Sequence, residues 1–350
     1  MPELPEVETV VTTLRPRLIG RRIASVRLAR QDILTPTDID LPALLTGRSV
    51  EQIQRRGKRI VLTLDDGNRF YIHLGMTGQL TMADPAAEVL PHTHLVVDLS
   101  PGSSAEDAGK EGTDAGTRRR GDAGKKQEGD CKSQSENHKV KIAEEPASPS
   151  APKFEISNLQ FAICNPPPSL PASPRLRVPA SSSPSLQLRF RDPRRFGGIW
   201  WLGRGDCDAG MGPEPLTVSP RQLSKRLART TRAIKSALLD QSVVAGLGNI
   251  YVDESLFLAG IHPLIPADKL TEAQIARLNR AIKSTLRKAI KNRGSTLRDY
   301  RDADGAIGDY QSKHKVYGRE KKPCRTCRTP IERLVLGGRS THFCPKCQRQ

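Results

Sequence analysis

The chain has no run of about 18 apolar residues, the length a membrane-spanning helix needs. Its N-terminus also lacks the basic and then apolar stretches of a secretory leader. Both absences lead us to expect a soluble cytoplasmic protein, with no membrane among its partners. Cysteine is scarce as well, with seven in 350 residues. Cys131, Cys164 and Cys207 are scattered, and such usage in a chain this long does not read as a secreted disulfide framework. No internal repeat is apparent, which argues against a solenoid. Acidic residues are outnumbered, 38 against 56 basic ones, so the formal charge is 56 − 38 = +18 and the isoelectric point is about 9.9. A polyanionic partner fits that excess, and so do solvated basic faces; the motifs have to separate them. The 36% apolar content is enough for two or three globular cores.

Several short strand-like runs fall between Ile23 and Leu99: IASVRL, SVEQIQ, RIVLTL, RFYIHL and HLVVDL, with a turn signal at Asp65-Asp66-Gly67-Asn68. Antiparallel sheet is the economical reading. Composition then shifts, and 101–185 reads as a largely disordered insertion rich in Gly, Ser, Pro, Lys and Glu. SLQLRFRDPRRFGGIWWL resumes strand character, so the insertion stands where HLVVDL and LQLRFR would otherwise join in a tight hairpin. Deleting Gly102 to Ser183 is expected to leave catalysis nearly intact.

From Ser219 the pattern is helical: SPRQLSKRLART, TRAIKSALLDQ, YVDESLFLAG and a longer helix. In the longer helix Thr271 and Gln274 form a capping-box pair, and Ile275, Leu278, Ile282, Leu286 and Ile290 make one apolar stripe. Asn292 and Gly294 mark its end. The Gly- and Asp-rich stretch that follows reads as too polar for a core. The fold class expected is α+β: an N-terminal β-sandwich domain over 1–215, a helical domain over 216–312, and a finger over 313–350.

The finger rests on Cys324-x2-Cys327 and, sixteen residues on, Cys344-x2-Cys347. Four thiolates leave a zinc ion no open position, so one structural Zn2+ is expected and no water activation. Between the pairs, Ile331 to Phe343 reads as a hairpin whose turn, Gly337-Gly338-Arg339, holds an arginine outward toward phosphates or solvent. At the other end stands Met1-Pro2-Glu3-Leu4-Pro5-Glu6-Val7-Glu8. Taken alone this is a rigid, acidic helix start. Yet Met before Pro is normally removed, and Pro2 would then present a secondary amine with a pKa of about 8, able to attack a sugar carbon and form an iminium ion. Glu3 beside it is placed as general acid or base.

With those residues in hand, the chain resembles the bacterial formamidopyrimidine-DNA glycosylases, also called 8-oxoguanine DNA glycosylase/AP lyases. The resemblance is carried by PELPEVE, RRGKR (Arg55 to Arg59), HLGMTG (His73 to Gly78), DPRRFGG (Asp192 to Gly198), GPEPL (Gly212 to Leu216), the segment Leu238 to Pro263, GSTLRDY (Gly294 to Tyr300) and the finger, in family order. It implies Pro2 as Schiff-base nucleophile, Glu3 as proton donor, and Glu6 as support for the site. Lys58 and Arg339 are implied as proton donors for β- and δ-elimination, Arg339 also touching phosphate. Met76, Arg194 and Phe196 would fill the space left by an extruded base. His94, Arg195, Lys235, Asn249, Ile250 and Tyr251 would contact double-stranded damaged DNA. Asn249 opens a helix whose amides would face a phosphate, and Arg298 to Tyr310 would close over an oxidised purine as a mobile lid. The resemblance further implies a helix-two-turn-helix module and a monomer. Two rivals remain: an endonuclease VIII-type enzyme for oxidised pyrimidines, which Leu4 and the Met76/Arg194/Phe196 set disfavour, and a non-catalytic damage-binding protein.

Overall fold

The computed structural model describes residues 2–100, 186–205, 208 and 210–349. The expected insertion, 101–185, lies outside the described residues.

Helix α1 (Leu4–Leu18) opens the chain and is followed by β1 (Ile23–Leu28), β2 (Leu34–Thr35), the short α2 (Leu41–Leu45) and β3 (Val50–Arg56). Next come β4 (Arg59–Leu64), β5 (Arg69–His73), β6 (Gln79–Ala83), β7 (Thr93–Leu99), β8 (Leu186–Arg191) and β9 (Gly198–Gly203). Two sheets result, in the orders β1-β7-β8-β6 and β2-β9-β5-β4-β3. Alternation along the strands turns Leu95, Val97, Leu188 and Phe190 of one sheet, with Ile60, Leu62, Phe70 and Ile72 of the other, into one core that α1 shares through Val7, Val10, Val11 and Leu14. Strands β7 and β8 pair antiparallel from Leu99↔Leu186 to Thr93↔Arg191, so the two halves expected to flank the insertion are neighbours in one sheet. Strand β6, which the sequence did not announce, forms the edge beside β8.

The helices follow: α3 (Pro220–Leu227), α4 (Ile234–Leu239), α5 (Asn249–Ala259) and α6 (Glu272–Lys291). The α6 capping box forms as its residues demand, with Thr271 Oγ1 accepting from Gln274 N at 3.3 Å and Gln274 Oε1 accepting from Thr271 N at 2.8 Å. At its C-terminus Arg293 and Gly294, with φ of +59° and +76°, turn the chain. The last strands, β10 (Glu332–Leu336) and β11 (Arg339–Phe343), form the finger hairpin.

One contact sets the position of everything catalytic. Leu4 belongs to the helical core, beside Val244, Leu247 and Ile250, and not to the core that the rest of α1 serves. Its amide donates to the Gly246 carbonyl at 3.1 Å, and a Cβ on Gly246 would meet Leu4 Cδ1 at 2.8 Å. Full burial of one leucine contributes about 1.5–3 kcal/mol. That anchor fixes Pro2 and Glu3 at the seam between the two cores.

The stretch after α6 departs from expectation. Tyr300 and Ala303 pack into the sheet core, and the Ala303 carbonyl accepts from Met82 N at 3.1 Å. Asp302, also buried, folds the loop on itself by accepting from the amides of Asp304 and Ala306 at 3.0 and 2.9 Å. The polar composition hid these anchors, while Leu297 and Ile307 stand exposed along with Arg298, Asp299, Arg301, Asp304 and Asp309.

Candidate active site and DNA-facing surface

Pro2 lines a cavity of about 320 Å³ with Met76, Thr77, Arg194, Ile250 and Ser295 among its walls. Glu3 lies directly behind it, 3% exposed. Its carboxylate accepts from Ile250 N at 3.0 Å and Tyr251 N at 3.4 Å, so the positive end of α5 points at this carboxylate. The approach requires glycine at 248, where a Cβ would come within 2.3 Å of the Glu3 carboxyl carbon. The sequence reading had aimed these amides at a phosphate; Glu3 occupies them instead. Burial lifts the Glu3 pKa to about 7, with Lys58 pulling it down and Glu6 pushing it up.

Glu6 is buried on the next turn of α1. It accepts from Glu3 N at 2.8 Å, from Ser295 N at 2.6 Å and from the Tyr251 hydroxyl, and burial raises its pKa despite those bonds. Tyr300 Oη closes the site from the far side, donating to the Glu6 carbonyl at 3.2 Å.

Lys58 is carried on the two-residue turn between β3 and β4, where Gly57 takes φ +57° as the first position of such a turn asks. Burial lowers its pKa, Glu3 opposes that, and Arg339 lowers it further. The turn is clamped by residues whose role the sequence did not show. Arg55 donates to Glu8 at 2.6 Å and to Glu214 at 2.7 Å, while Glu214 also accepts from Gly57 N at 2.6 Å. The signal was present in two separated motifs, RRGKR and GPEPL, whose charges are complementary. Burial would raise the Glu214 pKa, but Arg55 and Arg56 bring it below the usual value. Glu214→Ala is expected to destabilise the protein by about 2–4 kcal/mol, because it leaves a nearly buried guanidinium with half its partners. Urea unfolding measures this; an unchanged midpoint would show that the clamp carries no load.

His73 was also missed as an individual residue. It pairs with Arg59 across β4 and β5, and its Nδ1 accepts from Gly75 N at 3.1 Å. Burial, then Lys58 and Arg59, press its pKa to about 4, leaving a neutral imidazole beside Lys58.

The turn from β8 to β9 carries the expected base-replacing residues. Asp192 shapes it, accepting from Thr77 Oγ1 at 2.5 Å and Gly197 N at 2.7 Å. The backbones of HLGMTG and DPRRFGG touch here, since a Cβ on Gly75, at φ +58°, would lie 2.4 Å from Gly197 N. Phe196 is 54% exposed, unusual for a phenylalanine with a core available, and the Arg194 guanidinium sits 4.9 Å from its ring centre. Arg195 is exposed and Met76 half-buried. Arg194, Arg195 and Phe196 are exposed, as is Arg339, the first residue of β11, while Met76 stands in the wall of the Pro2 cavity.

Four other residues expected on DNA have their side chains inside the protein. His94 Nε2 bonds the Asp192 carbonyl at 2.9 Å. Lys235 is wholly buried and donates to Asp253 at 2.6 Å and to the Ser340 carbonyl at 2.8 Å, tying α4 and α5 to the finger. Ile250 and Tyr251 are buried in the helical core. Asn249 is intermediate, its amide donating to the same Ser340 carbonyl at 3.0 Å.

The finger brings Cys324, Cys327, Cys344 and Cys347 together, with all four sulfurs within 4.8 Å of one another. The pairs Cys324–Cys347 and Cys327–Cys344 stand at 4.0 and 3.4 Å, close to the roughly 3.8 Å edge of a tetrahedron with 2.3 Å zinc–sulfur bonds. One structural zinc fits this set. Gly337 and Gly338, at φ +55° and +72°, make the tight turn before Arg339. Among the described residues no helix is long and apolar enough to cross a membrane.

Three family models match in chain order: the formamidopyrimidine-DNA glycosylase N-terminal domain over 1–121, the H2TH domain of the same enzymes over 211–301, and the zinc finger found in FPG and IleRS over 321–350. Together they define the class, a helix-two-turn-helix DNA glycosylase. Curated relatives named formamidopyrimidine-DNA glycosylase include one from Chloroflexus aggregans, 38% identical over 99% of this chain and 98% of its own, and one from Geobacillus kaustophilus, 34% identical over all of both chains. Among solved structures, a Lactococcus lactis FPG mutant in complex with Fapy-dG-containing DNA matches with TM-score 0.71 and 28% identity over all of both chains. The MutM (FPG) protein of Thermus thermophilus matches with TM-score 0.68 and 32% identity over 99% of this chain and 98% of that one. The chain belongs to the formamidopyrimidine-DNA glycosylase family.

Proposed function

We propose that the protein excises oxidised purines, chiefly 8-oxoguanine and ring-opened formamidopyrimidines, from duplex DNA and then cuts the strand at the resulting site. Once Met1 is removed, the Pro2 nitrogen attacks the sugar C1′, the N-glycosidic bond breaks, and the base leaves with a proton. Glu3 donates its proton to the ring oxygen, which opens the sugar and leaves an iminium ion on Pro2. The placement of Pro2 in the cavity wall with buried Glu3, held by the amides of Ile250 and Tyr251, carries the reading; burial lifts this carboxyl toward neutrality, where an acid serves best. Lys58 and Arg339 act as proton donors for the β- and δ-eliminations that follow, and Glu6 supports Glu3.

Outside the chemistry, Met76, Arg194 and Phe196 occupy the duplex where the base has left, while Arg195, Arg339 and Asn249 meet the backbone. His94, Lys235, Ile250 and Tyr251 support that surface through the bonds that hold its turn, the finger and Glu3. The segment Arg298 to Tyr310 covers the extruded purine from its two buried anchors. The protein acts as a monomer, and its place is the cytoplasm, at nucleoid DNA.

Borohydride reduction on 8-oxoguanine duplex tests this. A covalent protein–DNA adduct is expected from protein with a free Pro2 and none from protein that retains Met1. No adduct from the processed protein sinks the reading in favour of a non-catalytic binder, and a lesion panel led by oxidised pyrimidines would move it to the endonuclease VIII type.

A further inference from the structure

The buried polar groups behind Glu6 do not stop at Tyr251. The Tyr251 hydroxyl, in contact with Glu6 Oε1, lies 3.3 Å from Ser295 Oγ, and that oxygen lies 3.1 Å from His314 Nε2. Ser295 and His314 are 4% and 3% exposed. His314 also forms part of the wall of a second cavity of about 520 Å³, with Gln311, Arg319 and Arg325; this cavity adjoins the one that Pro2 lines, sharing Leu297 and Tyr317 with it. A contiguous run of acid–base groups therefore leads from the carboxylate pair to the wall of this second cavity.

Two bond polarities satisfy the run. With Glu6 ionised, Tyr251 donates to Glu6, Ser295 to Tyr251, and His314 Nε2–H to Ser295. With Glu6 protonated every bond reverses and ends on a bare Nε2. One proton taken from water in the second cavity at His314 Nδ1, with one passed along each link, converts the first arrangement into the second. Glu6 gains a proton, the water loses one, and each intermediate group regains what it gave. The reverse sequence releases it.

We propose that Glu6, Tyr251, Ser295 and His314 form a proton-conducting chain by which Glu6 exchanges protons with solvent in the second cavity while bound DNA covers the first. The proposal rests on the reading of Glu3 and Glu6 as the acid–base pair. Because Glu6 raises the pKa of Glu3, the chain sets how readily Glu3 is recharged. The groups facing Glu6 are Glu3, Lys58, Tyr251 and Tyr300. Those facing His314 are Tyr310, Tyr317, Arg319, Arg325 and His342. Burial presses the His314 pKa to about 4, partly opposed by a bond to the Tyr317 backbone, so the ring rests neutral, and the relay requires that this bond open to admit water at Nδ1. His314 is a positioning and relay residue; it touches no substrate.

The test uses full-length, zinc-loaded protein and single-turnover excision of 8-oxoguanine from duplex DNA across a pH series. His314→Ala and Ser295→Ala are expected to slow excision about tenfold and to alter its pH profile. Added imidazole should restore His314→Ala but not Ser295→Ala, and thiazole, which has the size but no N–H, should restore neither. His314→Gln keeps volume and one hydrogen bond without a second ring nitrogen, so it should lose the same rate with an unchanged melting temperature, which covers the case in which the alanine variant fails to fold. Wild-type rates in the variants, or equal rescue by thiazole, would overturn the chain. Borohydride trapping on abasic-site duplex should stay at wild-type level in the two His314 variants; a wild-type protein that traps nothing would count against the catalytic reading and not against the relay.

Discussion

Glu3→Gln is expected to slow base excision by on the order of 10²–10⁴-fold while making the protein more stable at alkaline pH. The two effects share one cause. Burial raises the Glu3 pKa from 4.5 to about 7 in the folded protein, so folding favours the protonated carboxyl. The associated stability is fully present below about pH 4.5 and is lost as pH rises through about 7. A neutral glutamine avoids the charge at no great loss of hydrogen bonding, since its carbonyl can still accept from Ile250 N. At pH values above the folded pKa the variant should gain on the order of 2–3 kcal/mol, and in mild acid nearly nothing. Wild-type excision should fall as pH rises through about 7, whereas covalent trapping on a pre-formed abasic site, whose sugar already equilibrates with its ring-opened aldehyde, should survive the substitution. Denaturant melts at two pH values, read beside single-turnover rates, decide it. A variant less stable than wild type at high pH would mean that the bonds from α5 outweigh the burial of charge.

Cys344→Ala is expected to weaken binding of duplex DNA by roughly a hundredfold, about 3 kcal/mol, with turnover lost as a consequence. Structural zinc sites of four thiolates contribute about 10–16 kcal/mol to the folding of their module, so loss of one ligand should free the whole hairpin. Arg339 then has no fixed position. The damage should also spread inward, because Lys235 and Asn249 donate to the Ser340 carbonyl and Asp253 accepts from His342 N at 2.9 Å. The sandwich shares none of those bonds and should melt as in the wild type. Anisotropy with a labelled duplex gives the affinity, and a chelator should reproduce the loss in unmutated protein. Unchanged affinity in Cys344→Ala would remove the finger from the DNA-binding surface.

Local signals carried much of the architecture. Thr271 with Gln274, the β-rich runs of β4, β5 and β7, the Gly337-Gly338 turn and the cysteine spacing each act over a few residues, and each formed as read. The joining of β7 to β8 across the insertion was legible because both strands keep strand character at the break. What escaped was pairing at a distance. Lys235 was expected on DNA because its partners lie far along the chain: Asp240, the nearest acid in sequence, pairs with Arg232, while Asp253, 18 positions on, and Ser340, 105 positions on, enclose Lys235. Tyr251 lay in a stretch read for phosphate, yet its amide serves Glu3 and its hydroxyl serves Glu6. Composition likewise misjudged the stretch after α6, since Tyr300 and Ala303 suffice to anchor a loop otherwise full of Gly and Asp.

The seat of Leu4 in the helical core has a consequence for the order of events during synthesis. The ribosome makes the reactive end first, but Gly246, Gly248 and Ile250, which hold it, only after more than two thirds of the chain. A nascent chain thus carries its amine long before it carries the pocket that gives that amine a target. Birth order and assembly order run opposite ways, and the oldest residues of each molecule are among the last to reach their places.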